Sequence, residues 1–214
     1  MKNFSDELNN LMAMAQNDMT KNESEVKDRG FVLDSGFYDR VGMPDKFRGV
    51  TFTTHPNVIT ERVKTFCTKK EGGILIIIGP VGTGKTETAC CSFLERAKAG
   101  LPAGEYLNAE YQLCPKYRSS KLSTSSMTEW DFFQHYYKLP FLVLDEVGRG
   151  DDKEVERKVI TNFISSCYDN LTKIIITTNM TMEELIDFLG DRITDRFREV
   201  AEVCVLNNES WRGR

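Results

Sequence analysis

Residues 74–86 read Ile-Leu-Ile-Ile-Ile-Gly-Pro-Val-Gly-Thr-Gly-Lys-Thr, and this stretch decides the fold. Its first five residues are all apolar, which predicts a short buried strand. A stretch of helical period follows at 85–99. Between strand and helix, residues 79–86 match the pattern G-x-x-x-x-G-K-T. A strand, a glycine-rich loop and a helix in this order predict a phosphate-binding loop in an α/β fold.

The predicted phosphate-binding loop comprises Gly79, Pro80, Val81, Gly82, Thr83, Gly84, Lys85 and Thr86. Its glycines allow the backbone to curve closely around phosphate oxygens, with N–H groups pointing inward. Lys85 places a cation against the β- and γ-phosphates, and Thr86 offers its hydroxyl to Mg²⁺. The N-terminus of the following helix adds a positive partial charge. The sequence therefore predicts ATP and Mg²⁺ as ligands, against the alternative of a glycine-rich turn with an incidental lysine.

Two later apolar strands end in polar residues. Residues 141–144 are followed by Asp145 and Glu146, and the strand at 174–178 is followed by Asn179. Open parallel sheets bind ligands at the carboxyl ends of their strands. We predict Asp145 as a Mg²⁺ ligand, Glu146 as the group that polarises the attacking water, and Asn179 as a sensor of the γ-phosphate. The alternatives are a solvated acidic turn and a strand-capping asparagine.

Short apolar runs alternate with stretches of helical period from residue 72 onward. The predicted strands lie at 74–78, 105–107, 141–144, 174–178 and 203–206, and the clearest helices at 85–99, 153–168 and 182–198. Strands that alternate with helices predict a mainly parallel sheet with helices on both faces. The fold class is therefore α/β, with a five-stranded, mainly parallel sheet.

The N-terminal part of the chain has a different pattern. Residues 4–16 place apolar side chains three and four positions apart, which predicts a short amphipathic helix. Residues 17–29 form a polar linker, and 30–55 form an irregular arm on the following domain. We divide the chain into 1–43, a helix and linker that form a candidate partner-binding arm, and 44–214, the nucleotide-binding domain.

Composition restricts the class of protein. A formal net charge of −4 excludes a basic surface overall, so contact with DNA requires a local patch. Residues 111–121 interleave cations with tyrosines and form a candidate contact for single-stranded DNA, against the alternative of an ordinary exposed loop. No apolar run approaches the roughly 20 residues of a membrane span, and no signal peptide is visible, which predicts a cytoplasmic protein. The six cysteines include no Cys-x-x-Cys pair and are expected to be reduced and mostly buried.

The motifs taken together resemble the DnaC/IstB branch of the AAA+ ATPases over residues 44–212. The resemblance depends on the order and spacing of four segments: residues 79–86, Asp145-Glu146-Val147-Gly148, Thr177-Thr178-Asn179, and Leu189-Gly190-Asp191-Arg192-Ile193-Thr194-Asp195-Arg196. Upstream, Phe47, Arg48, Thr51 and Phe52 match loosely. The resemblance implies an AAA+ P-loop domain that hydrolyses ATP. In the family that the chain resembles, the arginine that matches Arg196 reaches the nucleotide of the neighbouring subunit. Arg192 lies one helical turn earlier on the same face.

The resemblance also implies a subfamily and partners. After Arg196 the chain has room for a strand and a tail but not for a C-terminal helical lid, which is typical of helicase loaders and their transposition relatives. The implied function is ATP-dependent loading of a hexameric replicative helicase onto single-stranded DNA during replication initiation. The implied assembly is a homo-oligomer or a helicase-templated ring, in a bacterial cell or a phage-infected host. An IstB-like transposition regulatory ATPase and a nucleotide-switched helicase inhibitor are the alternatives.

Overall fold

The computed structural model describes residues 33–207 except 35, 70 and 121–127. Five parallel strands form one sheet in the order β2-β3-β4-β1-β5. Their bounds are β1 Gly73–Ile78, β2 Glu105–Asn108, β3 Phe141–Val147, β4 Lys173–Thr178 and β5 Ala201–Val205. The predicted fold class is confirmed. The last strand begins two residues before its predicted start.

Eight α-helices lie within the described ranges. They are α1 Phe37–Arg40, α2 Thr60–Thr68, α3 Lys85–Lys98, α4 Cys114–Ser120, α5 Glu129–Tyr137, α6 Lys153–Asp169, α7 Met182–Leu189 and α8 Asp191–Val200. A 3₁₀ turn at Asp45–Phe47 and a π-helical turn at Ala109–Leu113 complete the set.

The prediction of one helix over 182–198 is wrong, because two helices meet at Gly190. This residue has φ 81° and ψ 173°, a conformation essentially restricted to glycine. It ends α7, whose first turn is held by a capping box between Thr181 and Glu184. The break sets the direction of α8 independently of α7.

Alternate side chains of the strands pack against different helical layers. Ile74 and Ile76 of β1 join the apolar cluster beneath α4–α8, whereas Leu75 and Ile77 join the cluster beneath α1–α3. All four are at most 1% exposed. Because both faces of the sheet are covered, the strand is apolar at every position rather than at alternate ones.

The segment before α2 packs against the second layer. Phe37, Val41 and Met43 are buried there, and the carbonyl of Val41 accepts a 2.7 Å hydrogen bond from the N–H of Tyr106. The predicted helix at 4–16 and linker at 17–29 lie outside the described residues, so the division at residue 43 stays a prediction. The tail at 208–214, on which the absence of a lid depends, also lies outside them.

The six cysteines are free and buried, as predicted. Burial raises the pKa of the Cys67 and Cys91 thiols to about 12, so both stay protonated and act as small apolar side chains. None of the described helices is both long and apolar enough to cross a membrane.

Candidate nucleotide-binding site

A cavity of about 290 Å³ opens at the carboxyl edge of the sheet. It is lined by the phosphate-binding loop and the start of α3, by the ends of β3 and β4, and by side chains of the N-terminal arm. The lining residues are Lys46, His55, Asn57, Val81, Gly82, Thr83, Gly84, Lys85, Thr86, Glu87, Thr88, Glu146, Arg149, Thr177, Thr178 and Asn179. The structure therefore brings most of the predicted site residues to one place.

The loop requires glycine for two reasons. A Cβ on Gly79 would lie 2.2 Å from the carbonyl oxygen of Leu206, a contact that the backbone cannot accommodate. Gly84, which precedes α3, has φ 87°, a left-handed conformation that strains other residues. The loop thus runs close against the end of β5 before it enters the helix.

Lys85, near the end of the phosphate-binding loop, is largely buried. Its Nζ donates hydrogen bonds to the carbonyl oxygens of Gly79 and Pro80, each at 2.7 Å. The N-terminus of α3 has no side-chain cap, and the first amide groups of a helix lack partners within the helix. These amides and the ammonium group make the cavity suitable for an anion such as a polyphosphate.

Asp145 does not itself line the cavity, but it is almost fully buried against Thr86 and Thr177, which do. Its carboxylate accepts hydrogen bonds from the hydroxyls of Thr86 at 3.0 Å, Thr177 at 2.5 Å and Tyr106 at 2.7 Å. Burial raises the pKa of Asp145, although the three hydroxyl donors oppose the shift. The Thr86 hydroxyl and the carboxylate are hard oxygen donors at hydrogen-bond distance from each other, and such donors fit Mg²⁺.

Glu146 is held in an unusual backbone conformation with φ 60°. Its N–H donates to the hydroxyl of Thr177 at 3.0 Å. One carboxylate oxygen accepts a 3.0 Å hydrogen bond from Nδ2 of Asn108, and the other pairs with the guanidinium of Arg149. Positive φ in a non-glycine residue is uncommon and concentrates at functional sites.

Three residues that contact the acidic pair were not predicted: Tyr106, Asn108 and Arg149. Asn108 ends β2, so the rule that directed attention to the ends of β3 and β4 also applies to it. Tyr106 lies on a buried strand, and nothing in the sequence indicates that its hydroxyl faces Asp145. Arg149 follows the acidic pair by three residues, a separation at which the sequence does not predict an ion pair outside a helix.

Asn179 follows β4, is exposed and lines the cavity. The strand end before it is tied to β3, because the hydroxyl of Thr178 donates to the carbonyl of Val147 at 2.7 Å. Its position is suitable for contact with a terminal phosphate, and its role as a sensor stays a prediction.

Arg192 and Arg196 on α8 are not among the residues that line the cavity. Nη2 of Arg196 pairs with Asp169 at 2.9 Å, and its guanidinium lies 4.8 Å from the ring centre of Tyr168. Its Nη1 is buried without a hydrogen-bond partner in the described part of the chain. Arg192 is exposed and lines a separate groove between α5 and α6. Contact of either arginine with the nucleotide of a neighbouring subunit stays a prediction.

The candidate DNA-contact segment is partly internal. The ring of Tyr111 is exposed, whereas Tyr117 is buried and cannot stack on a base. Lys116 donates to the hydroxyl of Tyr136 at 3.2 Å, and Arg118 pairs with Asp152 at 3.0 Å, but both side chains remain exposed. Lys121 lies outside the described residues.

The fold and the cavity together define a P-loop nucleotide-binding protein. A family comparison refines this class: residues 53–214 match the family of IstB-like ATP-binding proteins, and the chain belongs to that family. The predicted resemblance to the DnaC/IstB group is thereby confirmed.

Two relatives illustrate the range of the family. The chain is 26% identical to the replicative helicase loader DnaC of Escherichia coli (strain K12) over 145 residues, which cover 65% of this chain and 56% of the relative. It is also 26% identical to an IS21-like insertion-sequence putative ATP-binding protein of Bacteroides fragilis over 143 residues, 64% of this chain and 52% of the relative. The chain thus spans about half the length of these relatives. The crystal structure of the DnaC helicase loader shares the fold, with a TM-score of 0.66 and 22% identity over 77% of this chain and 100% of that chain.

Proposed function

We propose that the chain binds ATP with Mg²⁺, hydrolyses it, and uses this cycle to load a replicative helicase onto single-stranded DNA. The observation that carries the enzymatic part is that one cavity is lined by residues 81–86 of the P-loop and by Glu146, with Asp145 hydrogen-bonded to Thr86. Phosphoryl transfer requires charge neutralisation and an oriented water, and these groups are of the types that supply both.

Each residue has a separate role in this proposal. Lys85 and the loop amides hold the β- and γ-phosphates, and Asn179 contacts the terminal phosphate. Thr86 and Asp145 hold Mg²⁺, which when bound neutralises developing charge on the phosphate oxygens. Glu146 polarises the attacking water.

Two substitutions test the enzymatic part. We expect Lys85→Ala to abolish tight ATP binding, because it removes the charge that faces the phosphates. We expect Glu146→Gln to bind ATP normally and to lose turnover by roughly 10²-fold or more, the usual contribution of a general base. Titration with a fluorescent ATP analogue and a phosphate-release assay measure both effects, with Glu183→Gln on the exposed face of α7 as the control. Equal loss of affinity in the two variants would show that the role of Glu146 is misassigned.

The loading function is supported by the relationship to the E. coli protein, whose name describes a replicative helicase loader. We infer that a hexameric helicase and single-stranded DNA are the partners, within a homo-oligomer or a helicase-templated ring. We assign residues 1–43 to helicase contact and place the protein in the cytoplasm of a bacterial cell or phage-infected host. Co-purification with a helicase rather than a transposase tests the partner.

A second candidate function is supported by the equal identity to the insertion-sequence protein. In that case the chain regulates a transposase on duplex DNA. Stimulation of ATP turnover by duplex but not by single-stranded DNA would favour this candidate. Absence of stimulation by either DNA would favour a nucleotide-switched helicase inhibitor.

The DNA contact has its own test. We expect the double variant Lys116→Ala, Arg118→Ala to bind single-stranded DNA more weakly. Its plot of log affinity against log salt should be shallower by about 1.4, since each phosphate contact contributes roughly 0.7. Arg157→Ala with Lys158→Ala removes the same charge from exposed positions on α6 and serves as the matched control. If the two double variants have equal affinities across the salt series, residues 111–121 do not contact DNA.

A further inference from the structure

The guanidinium of Arg149 lies at the mouth of the nucleotide cavity and pairs with the Glu146 carboxylate. Its Nη1 contacts Oε1 of Glu146, and the Arg149 side chain is 51% exposed. Arg149 also lines the cavity itself. The Arg149 guanidinium therefore pairs with one carboxylate oxygen of Glu146, the residue proposed to activate water.

The other oxygen of Glu146 is also engaged. Oε2 accepts the 3.0 Å hydrogen bond from Asn108, so both carboxylate oxygens have donors. A water that Glu146 is to orient and activate must therefore compete with Arg149 and Asn108 for these two oxygens.

The backbone on either side of Arg149 is anchored from below by Glu156. Oε1 of Glu156 accepts a 2.9 Å hydrogen bond from the N–H of Gly148, and the Glu156 residue is 1% exposed. Lys153 donates to the carbonyl of the same glycine. A Cβ on Gly150 would lie 3.0 Å from Oε2 of Glu156, so the loop packs closely on this carboxylate. The backbone at Gly148 and Gly150 is thus held by Glu156 and Lys153, whereas about half of the Arg149 side chain is exposed to solvent.

Exposed ion pairs are weak because water competes for both partners, so such a pair can open readily. The electrostatic environment of Arg149 favours its charged form, since Glu146 first, and then Tyr111 and Glu110, raise the pKa of the guanidinium. The guanidinium therefore stays charged, while its exposed contact with Glu146 is easily broken.

We propose that Arg149 is a positioning residue that holds Glu146 in a closed arrangement, with both carboxylate oxygens engaged, and that ATP turnover requires the Arg149–Glu146 pair to open. The inference rests on the proposed role of Glu146 in hydrolysis. It predicts that removing the guanidinium makes the carboxylate more available.

The first test measures the carboxylate directly and does not depend on activity. Nucleotide-free protein is treated with a carbodiimide and glycine ethyl ester, and the labelling rate of Glu146 is read by peptide mass spectrometry. Arg149→Met retains most of the side-chain bulk without the charge, and it should raise the rate roughly two- to fivefold, the range expected for one exposed ion pair. Arg157→Ala on α6 should leave the rate unchanged. Equal labelling of Glu146 in Arg149→Met and the native protein would overturn the proposal.

The second test measures turnover in the full chain. Arg149→Met should raise kcat for ATP roughly two- to fivefold with KM little changed, because only the opening of the pair is made easier. A lower or unchanged kcat would overturn the proposal. If Glu146→Gln has the same turnover as the native chain, the assignment of Glu146 as the group that activates water fails instead. The labelling result still decides whether Arg149 holds the carboxylate.

Discussion

At the scale of single residues, Asp145 combines burial with the charge that its proposed role as a Mg²⁺ ligand requires. It is 2% exposed and surrounded by hydroxyl groups of Thr86, Tyr106 and Thr177. Burial disfavours the carboxylate form, and the hydroxyl donors only partly offset this cost. The surroundings of Asp145 therefore suit the proposed cation, and without a cation the buried carboxylate lowers the free energy of unfolding.

This arrangement predicts a pH dependence of stability. Because the pKa of Asp145 is raised above 3.8, the folded chain binds this proton more tightly than the unfolded chain. The stabilising effect of protonation is present at low pH and is lost as pH rises through the folded pKa. Compared with Asp145→Asn, the native protein without nucleotide should lose free energy of unfolding as pH rises from about 4 toward neutrality. Urea unfolding over a pH series measures this difference, and Glu183→Gln serves as the control.

If the free energies of unfolding of the native protein and Asp145→Asn change in parallel with pH, Asp145 has no raised pKa in the folded state. The substituted amide has the same shape as the carboxyl group, and the neighbouring hydroxyls can either donate or accept. The comparison therefore isolates the charge.

At the scale of elements, the junction between α7 and α8 is decided by one glycine. No atom lies within 4 Å of a Cβ placed on Gly190, so space does not explain the residue. The backbone conformation of Gly190, with φ 81° and ψ 173°, explains the residue, because a side chain makes this conformation costly. The turn aims α8, which carries Arg192 and Arg196.

Gly190→Ala should therefore destabilise the protein by roughly 1–3 kcal/mol through backbone strain alone. Chemical denaturation of the purified variant measures the loss. Asp187→Ala on the exposed face of α7 is the comparison, since it alters the same helix without changing a special backbone conformation. If Gly190→Ala lowers the free energy of unfolding no more than Asp187→Ala does, the junction between α7 and α8 relaxes without strain.

At the scale of the whole molecule, the proposed role of Arg196 at a neighbouring nucleotide requires its present contacts to break. The side chain is 14% exposed, pairs with Asp169 and lies over the ring of Tyr168. To reach a nucleotide on a neighbouring subunit, it must leave these contacts. A guanidinium delivered in this way can stabilise transition-state charge, an effect worth roughly 10³-fold or more in GTPases.

We expect Arg196→Ala to keep ATP binding and to lose turnover. Mixing it with Lys85→Ala protein should partly restore ATPase activity, because a mixed assembly pairs an intact P-loop from one chain with an intact Arg196 from the other. Phosphate release is measured with and without added helicase. Since Arg196 also packs against α6, thermal unfolding must show that the variant is folded. If both variants fold and assemble but no mixture recovers activity, Arg196 is not a trans-acting finger and its role is structural.

The sequence by itself determined the parts of the protein that depend on neighbouring residues. The run of apolar residues at 74–78 predicts a strand buried on both faces, and the glycines and Lys85 that follow predict the phosphate-binding loop. Asp145 and Glu146 could be found because they end a strand, and strand ends in a parallel sheet meet at one edge. These inferences need only local order and period.

Only the tertiary structure decided how the acidic residues are held. Tyr106 contacts Asp145 across 39 positions, and Asn108 contacts Glu146 across 38. Such pairs depend on which strands are adjacent and on their register, and no local pattern specifies either. The ion pair of Arg149 involves Glu146, whose positive φ lies at a register irregularity near the end of β3. Side-chain direction at a turn follows from φ and ψ, so the residues that restrain the carboxylates become visible only once the chain is folded.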